Sequence, residues 1–243
     1  MSAVAGKVGL VFVSHSGKIA EGLIDLASQM APNTALAPAG GTDEGGIGTS
    51  FDKVLSAIAQ VDSGAGVVVL CDLGSAILTA ETALDFLDDE VRGQVRIVDA
   101  PLVEGAVAAS VTAETGGSLD DVVAAAETAR GAQGRAEPVT AAADDPVGAA
   151  QQGALPATDS LTRTVEVVNK DGLHARPAAE FVKLANTFPA KVTINGKDSK
   201  SLLGIMSLGL VRGTTATLET GDPSGKGALD ALAALIESGF GEA

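Results

Sequence analysis

The chain is 243 residues long and carries 16 Lys/Arg against 31 Asp/Glu, a net charge of −15. With 6 Phe, no Tyr or Trp and no basic stripe, it lacks the cationic field and stacking platforms that nucleic-acid binding needs. A lone cysteine excludes an internal disulfide and a thiol-paired zinc site, and no apolar run approaches the ~20 residues that span a bilayer.

Charge and composition both divide the chain near residue 160. Residues 1–160 hold 7 Lys/Arg against 22 Asp/Glu, whereas residues 161–243 hold 9 of each. Acidity of the first part either serves solubility or draws weakly on a second part with Arg and Lys near its histidine, as a transient transfer contact requires. Residues 131–160 are rich in Ala, Pro, Gly, Gln and Asp without a periodic apolar face, the signature of a tether. Two domains are expected, residues 1–132 and 161–243, joined by an Ala/Pro-rich linker over 133–160. The start, Met1-Ser2-Ala3-Val4-Ala5-Gly6-Lys7, has no signal-peptide layout, so a cytoplasmic location is expected.

In chain order, Val8 to Val13 is a continuous apolar run of the kind buried on both faces of a parallel sheet. A helical pattern follows at Ile19, Leu23, Ile24, Leu26, Ala27 and Met30. Thr34 to Pro38 reads as a weaker strand, then a Gly-rich loop and a helix from Phe51 to Val61. Gly66 to Cys71 is a strong strand that buries Cys71, and a helix from Ala76 to Leu87 comes next. Val95 to Val98 is a fourth strand, leading to helices that run through Arg130. This alternation predicts an α/β domain, an open and mostly parallel sheet with helices on both faces.

Ligands of such sheets sit beyond the carboxyl ends of the strands. Ser14-His15-Ser16-Gly17, Gly40-Gly41-Thr42, Asp72-Leu73-Gly74-Ser75 and Ala100-Pro101 all leave the sheet there. Ser14, Ser16, Gly41, Thr42, Gly74 and Ser75 are candidate phosphate contacts, because small residues let backbone N–H groups approach an anion and hydroxyls donate as well. Asp72 is either the partner that fixes the His15 tautomer or the N-cap of the next helix. Gly41 to Ser50 lacks Gly-Lys-Ser/Thr and a third spaced glycine, so neither nucleotide fingerprint applies.

In the second domain a strand-like run from Val165 ends at His174, the other of only 2 histidines in the chain. Asp171-Gly172-Leu173-His174-Ala175-Arg176-Pro177 is a turn, a histidine and a helix start with Pro in its first turn. His174 therefore sits at the positive end of a helix dipole, with the Ala175 N–H and the Arg176 fork available to phosphate oxygens. A neutral imidazole attacks phosphorus, holds it as a labile phosphoramidate and surrenders it cheaply. Two such sites in one chain suit a relay. No metal and no separate cofactor are expected.

Asn169 to Ala178, Ala190 to Lys197 and Ser199 to Gly209 resemble the histidine-containing phosphocarrier (HPr) of the phosphoenolpyruvate:sugar phosphotransferase system. The resemblance implies an α+β open-faced β-sandwich, phosphorylation of His174 at Nδ1 by enzyme I, and assistance from Arg176. Ser201 matches a regulatory serine of some members, and on local grounds it is a helix N-cap. Val13 to Ser16, Gly41 to Asp43 with Gly46 to Thr49, Asp72 to Ala76 with Ala80 to Leu84, and Ala100 to Gly105 resemble the mannose-type IIA domain of the phosphotransfer subunits of phosphoenolpyruvate-dependent dihydroxyacetone kinases. That resemblance implies transfer from His174 to His15, then to ADP on the nucleotide-binding kinase subunit, with the IIA domain forming a homodimer. Some relatives carry a further enzyme I-like domain; here enzyme I is expected to act as a separate protein. The alternative is a mannose-type sugar transport component that donates to a IIB domain.

Overall fold

The computed structural model describes residues 6–132 and 160–241. The expected linker, 133–160, lies outside the described residues except for Ser160. Among the described residues no helix is long and apolar enough to cross a membrane.

The first layer is a four-stranded parallel sheet of β1 (Gly9–Ser14), β2 (Leu36–Gly40), β3 (Val67–Cys71) and β4 (Val95–Val98), in the order β2-β1-β3-β4. Between and after the strands run α1 (Gly17–Met30), α2 (Phe51–Val61), α3 (Gly74–Leu84), α4 (Asp89–Arg92), α5 (Leu102–Glu114) and α6 (Leu119–Ala132). Strands buried on both faces have no polar side to show, so β1 and β3 read as unbroken apolar runs. Leu10, Phe12, Val68 and Leu70 pack on α1, α5 and α6 through Leu23, Ala27, Ala106, Ala109, Val122 and Ala126. The alternating residues Val11, Val13, Val67 and Val69 pack on α2 and α3 through Val54, Ile58, Ala76 and Ala80. The sheet is thus sandwiched, as the alternation of elements predicts.

Three local readings are corrected. β2 begins at Leu36 rather than Thr34 and runs on past Pro38, which an edge strand accepts because its missing N–H is not needed by a neighbour. α3 runs from Gly74 to Leu84 rather than from Ala76 to Leu87, starting two residues before the first apolar position of the pattern and ending three residues earlier. Ile19 and Leu26, counted in the apolar face of α1, are 51% and 43% exposed; Ala20, Leu23, Ala27 and Met30 form the buried stripe.

The second layer is an antiparallel sheet of β5 (Leu161–Glu166), β6 (Thr193–Ile194), β7 (Lys197–Asp198) and β8 (Thr215–Thr220), ordered β5-β8-β6-β7. Helices α7 (Ala175–Asn186), α8 (Leu202–Met206) and α9 (Lys226–Glu237) complete it. Val165, Ile194, Ala216 and Leu218 pack on Phe181, Val182, Leu229, Leu232 and Ile236, while alternate residues of β5 and β8 stay outside. This is the open-faced α+β sandwich expected of the second domain. The strand ends at Glu166, well before His174, because Val167 to Leu173 turns the chain toward α7.

The two layers touch through helices. Leu203 of α8 packs with Ala108 and Ala129, Met30 and Val107 join the apolar cluster of the second layer, and Lys183 Nζ lies 3.9 Å from Glu114 Oε1.

Candidate functional site

β1 and β3 are neighbours in register, with Val13 opposite Cys71, so their carboxyl ends carry His15 and Asp72 side by side. The Asp72 N–H donates to Val13 O at 3.1 Å, extending the ladder to the edge of the site. Asp72 Oδ1 lies 2.9 Å from His15 Nδ1, and Oδ2 accepts from the His15 backbone N–H at 2.8 Å. A carboxylate only accepts, so Nδ1 carries the proton and the Nε2 lone pair is left for chemistry. Ser75 Oγ stands 2.7 Å from Nε2, at the second residue of α3. The His15 side chain is 22% exposed, so the ring is open to solvent.

The two readings of Asp72 are resolved by this geometry. Leu73 is the N-cap of α3, and Asp72 is the imidazole partner, its Oδ1 also accepting from the Leu73 N–H at 2.8 Å. Burial pushes its carboxyl up, but the His15 N–H, the His15 ring and the Ser14 hydroxyl outweigh burial and hold the pKa below its ordinary value. Burial first, then Asp72 and Glu81, pushes the neighbouring Cys71 thiol up to about 12, so it stays a protonated core group rather than a rival nucleophile.

The phosphate candidates separate into two groups. Ser14 is fully buried; its hydroxyl donates to Asp72 Oδ2 at 2.8 Å and accepts from the Ser16 N–H at 3.1 Å. The Gly41 N–H donates to Ser14 O and the Thr42 N–H to Gly46 O, both at 3.0 Å. These groups build the scaffold, and the backbone donors of Ser16, Gly41 and Thr42 are already engaged, contrary to the expectation that they serve phosphate. Gly74 and Ser75 differ, because the first N–H groups of a helix have no intrahelical acceptor and lie at its positive end.

The Gly-rich loop after β2 is pinned on three sides. The Gly48 N–H donates to His15 O at 2.9 Å, Thr49 Oγ1 is 2.8 Å from Thr79 Oγ1 on α3, and Ser50 Oγ bonds Asp43 while capping α2. Lys53 Nζ donates to Gly40 O at 2.9 Å and Thr42 O at 2.7 Å. A side chain on Gly40 has no room, since a Cβ there would lie 2.7 Å from Gly17 Cα and Ser16 O. Sequence reasoning missed Lys53 and Gly48; only the absence of any other cation between Lys18 and Arg92 marked Lys53.

In the second layer His174 is the N-cap of α7, and its carbonyl accepts from the Ala178 N–H at 2.9 Å. Gly172, at φ +68, allows the reversal that sends the Leu173 N–H to Leu210 O at 2.8 Å and presents His174 at the surface. Ala175 is the first residue of α7, and Arg176, 58% exposed, pairs with Glu180 Oε1 at 3.4 Å. Ser201 is the N-cap of α8, accepting from the Gly204 N–H at 3.2 Å. Among the described residues no group of three or more His, Cys, Asp or Glu could hold a metal ion.

Known proteins with matching sequence fall on the same two units. The family model described as a fructose IIA component of the phosphotransferase system matches residues 9–123, and that of the HPr component phosphorylation site matches residues 161–238. The phosphoryl donor subunit DhaM of a PEP-dependent dihydroxyacetone kinase from Klebsiella michiganensis is 39% identical over 245 residues, covering 97% of this chain and 51% of the relative. A DhaM from Listeria innocua is 44% identical over 105 residues, 43% of this chain and 84% of the relative. The phosphocarrier protein HPr of Cupriavidus necator is 45% identical over 86 residues, 34% of this chain and 97% of the relative. The chain spans about half the length of the first of these.

A parallel-sheet unit matched by the IIA model, joined to an open-faced sandwich matched by the HPr model, places the chain in the class of fused IIA–HPr proteins of the phosphotransferase system. Within that class, the chain belongs to the DhaM family, the phosphoryl donor subunits of PEP-dependent dihydroxyacetone kinases.

Proposed function

We propose that this chain is a cytoplasmic phosphohistidine relay. Enzyme I phosphorylates His174, His174 passes the group to His15, and His15 delivers it to ADP held on the nucleotide-binding subunit of a dihydroxyacetone kinase. The observation that carries this reading is His15 itself, whose Nδ1 is tied to Asp72 while Nε2 faces the Ser75 hydroxyl. The likeness to phosphoryl donor subunits of dihydroxyacetone kinases supports the kinase over a sugar-transport acceptor.

In the first transfer the Nε2 lone pair forms a bond to phosphorus as the His174 N–P bond breaks and its electron pair returns to that ring. The Nδ1 proton stays on His15, where Asp72 offsets the positive charge that develops on the phosphorylated ring. Ser75 Oγ–H, which faced the lone pair, turns to a phosphate oxygen, and the Gly74 and Ser75 N–H groups meet the others. In the second transfer a terminal oxygen of ADP attacks phosphorus and the N–P electrons return to Nε2. Phosphoryl transfer asks for positioning and charge stabilisation, and this edge of the sheet provides both.

The first domain is proposed to pair with a second copy, and residues 133–160 to tether the carrier domain. Incubating the full chain with enzyme I and labelled phosphoenolpyruvate, then with ADP-loaded kinase subunit and dihydroxyacetone, tests the order. His174→Ala blocks labelling when no free carrier is supplied, and His15→Ala permits labelling but stops discharge. Label retained in the double variant overturns the relay.

A further inference from the structure

The geometry points to Lys53 as a positioning residue for phosphoryl transfer at His15, acting through the loop from Gly40 to Thr49. This role rests on the relay proposed above. Lys53 lies in the first turn of α2. Its ammonium donates to Gly40 O at 2.9 Å and to Thr42 O at 2.7 Å. In a trans peptide the carbonyl and the following N–H point in opposite directions. Fixing those two carbonyls toward α2 therefore fixes the Gly41 and Asp43 N–H groups away from it. The Gly41 N–H accordingly reaches Ser14 O at 3.0 Å, the residue whose hydroxyl holds Asp72.

The same loop closes on itself and then on the histidine. Thr42 exchanges hydrogen bonds with Gly45 and Gly46 at 3.0 Å, and two residues later the Gly48 N–H takes His15 O at 2.9 Å. Lys53 thus sits at one end of a continuous chain of bonds whose other ends are the His15 carbonyl and the Ser14–Asp72 pair. Both settle the direction in which Nε2 points. A tight loop rich in glycine has little stiffness of its own, and it is held here by a charged donor that two carbonyls share.

Lys53 is also suited to substitution. It borders a groove of about 340 Å³ lined by Gly17, Glu21, Pro38, Gly40 and Gln60, so removing its charge opens the two carbonyls to solvent and leaves the buried stripe of α2 intact. A misplacement of about 1 Å at a reacting group costs on the order of 100-fold in rate. The effect expected of Lys53→Met is therefore a fall of roughly 10- to 100-fold in kcat.

Rapid-quench measurement on the full chain resolves this. Wild type, Lys53→Met, Lys53→Arg and Glu21→Gln are charged with enzyme I and labelled phosphoenolpyruvate, and discharge of phospho-His15 is followed against the concentration of ADP-loaded kinase subunit. Lys53→Met lowers kcat with KM nearly unchanged, Lys53→Arg recovers most of the rate because it still donates to carbonyls, and Glu21→Gln, in the same groove without a bond to the loop, behaves as wild type. Equal kcat in wild type and Lys53→Met overturns the positioning role while leaving the relay standing. A loss confined to KM, or one matched by Glu21→Gln, assigns Lys53 to partner docking or to bulk charge and also overturns it. Failure of the wild type to label at His15 overturns the relay itself.

Discussion

The hydroxyl of Ser14, fully buried at the end of β1, donates to Asp72 Oδ2 at 2.8 Å across the β1–β3 pair. Asp72 is therefore held from behind by one strand while it holds the histidine of that same strand in front. Ser14→Ala removes this bond and the acceptor of the Ser16 N–H. A stability loss of about 1 kcal/mol follows, seen as a fall of several degrees in Tm by calorimetry. Phosphorylation of His15 slows several-fold in the same variant. An unchanged labelling rate shows that Asp72 needs no backing.

Asp72→Asn keeps the shape and removes the charge and the obligatory acceptor. An amide can offer its NH₂ to Nδ1, which forces the proton to Nε2 and blocks the attacking lone pair. Loss of transfer to His15 on the order of 10³- to 10⁴-fold is expected, with His174 still labelled at the normal rate. The contrast between the two sites in one gel is the measurement.

Carboxylates also set how the fold answers acid. Desolvation raises the Glu114 carboxyl, but bonds from Asn33, Thr34 and Lys7 outweigh it and hold its pKa below the ordinary 4.5, as the bonds to Asp72 do below 3.8. Folded pKa values lower than unfolded ones mean that the unfolded chain binds more protons through that window. The stability they contribute is present above about pH 4.5 and drains as pH falls through the folded values. Tm is expected to hold steady from neutral pH to pH 5 and then drop, and Glu114→Gln shallows the drop. A Tm profile of the variant parallel to wild type in that range counts against the assignment.

Much of this was legible where burial dictates pattern. β4 and α2 match their sequence boundaries because four-residue and eleven-residue apolar patterns have flanking Gly, Ser or Asp to end them. α4 was invisible, since Asp89 to Arg92 buries nothing and leaves no periodic trace. The strand-end histidine was legible from the rule that parallel sheets bind at their carboxyl edge, whereas Asp72 was legible only as one of two readings, imidazole partner or helix N-cap. The inward turn of Ser14 was not, because β1 is buried on both sides and alternation cannot say which neighbour a hydroxyl meets. Lys53 left no motif at all; its role depends on two carbonyl directions that no side-chain pattern encodes.

Ser75 brings two donors to one place, a hydroxyl 2.7 Å from His15 Nε2 and a backbone N–H in the first turn of α3. They are separable. Ser75→Ala removes only the hydroxyl, so transfer is expected to fall about 10-fold, less than the loss of a full oxyanion donor. Ser75→Pro removes the amide as well, at a first-turn position where proline costs the helix no bond, and Gly74 before it tolerates the altered backbone. A fall of roughly 100-fold or more is expected there, with unchanged helical circular dichroism. If the two variants transfer alike, the amide does not touch the phosphoryl group; if Ser75→Ala matches wild type, the hydroxyl only occupies the ring nitrogen until phosphate displaces it.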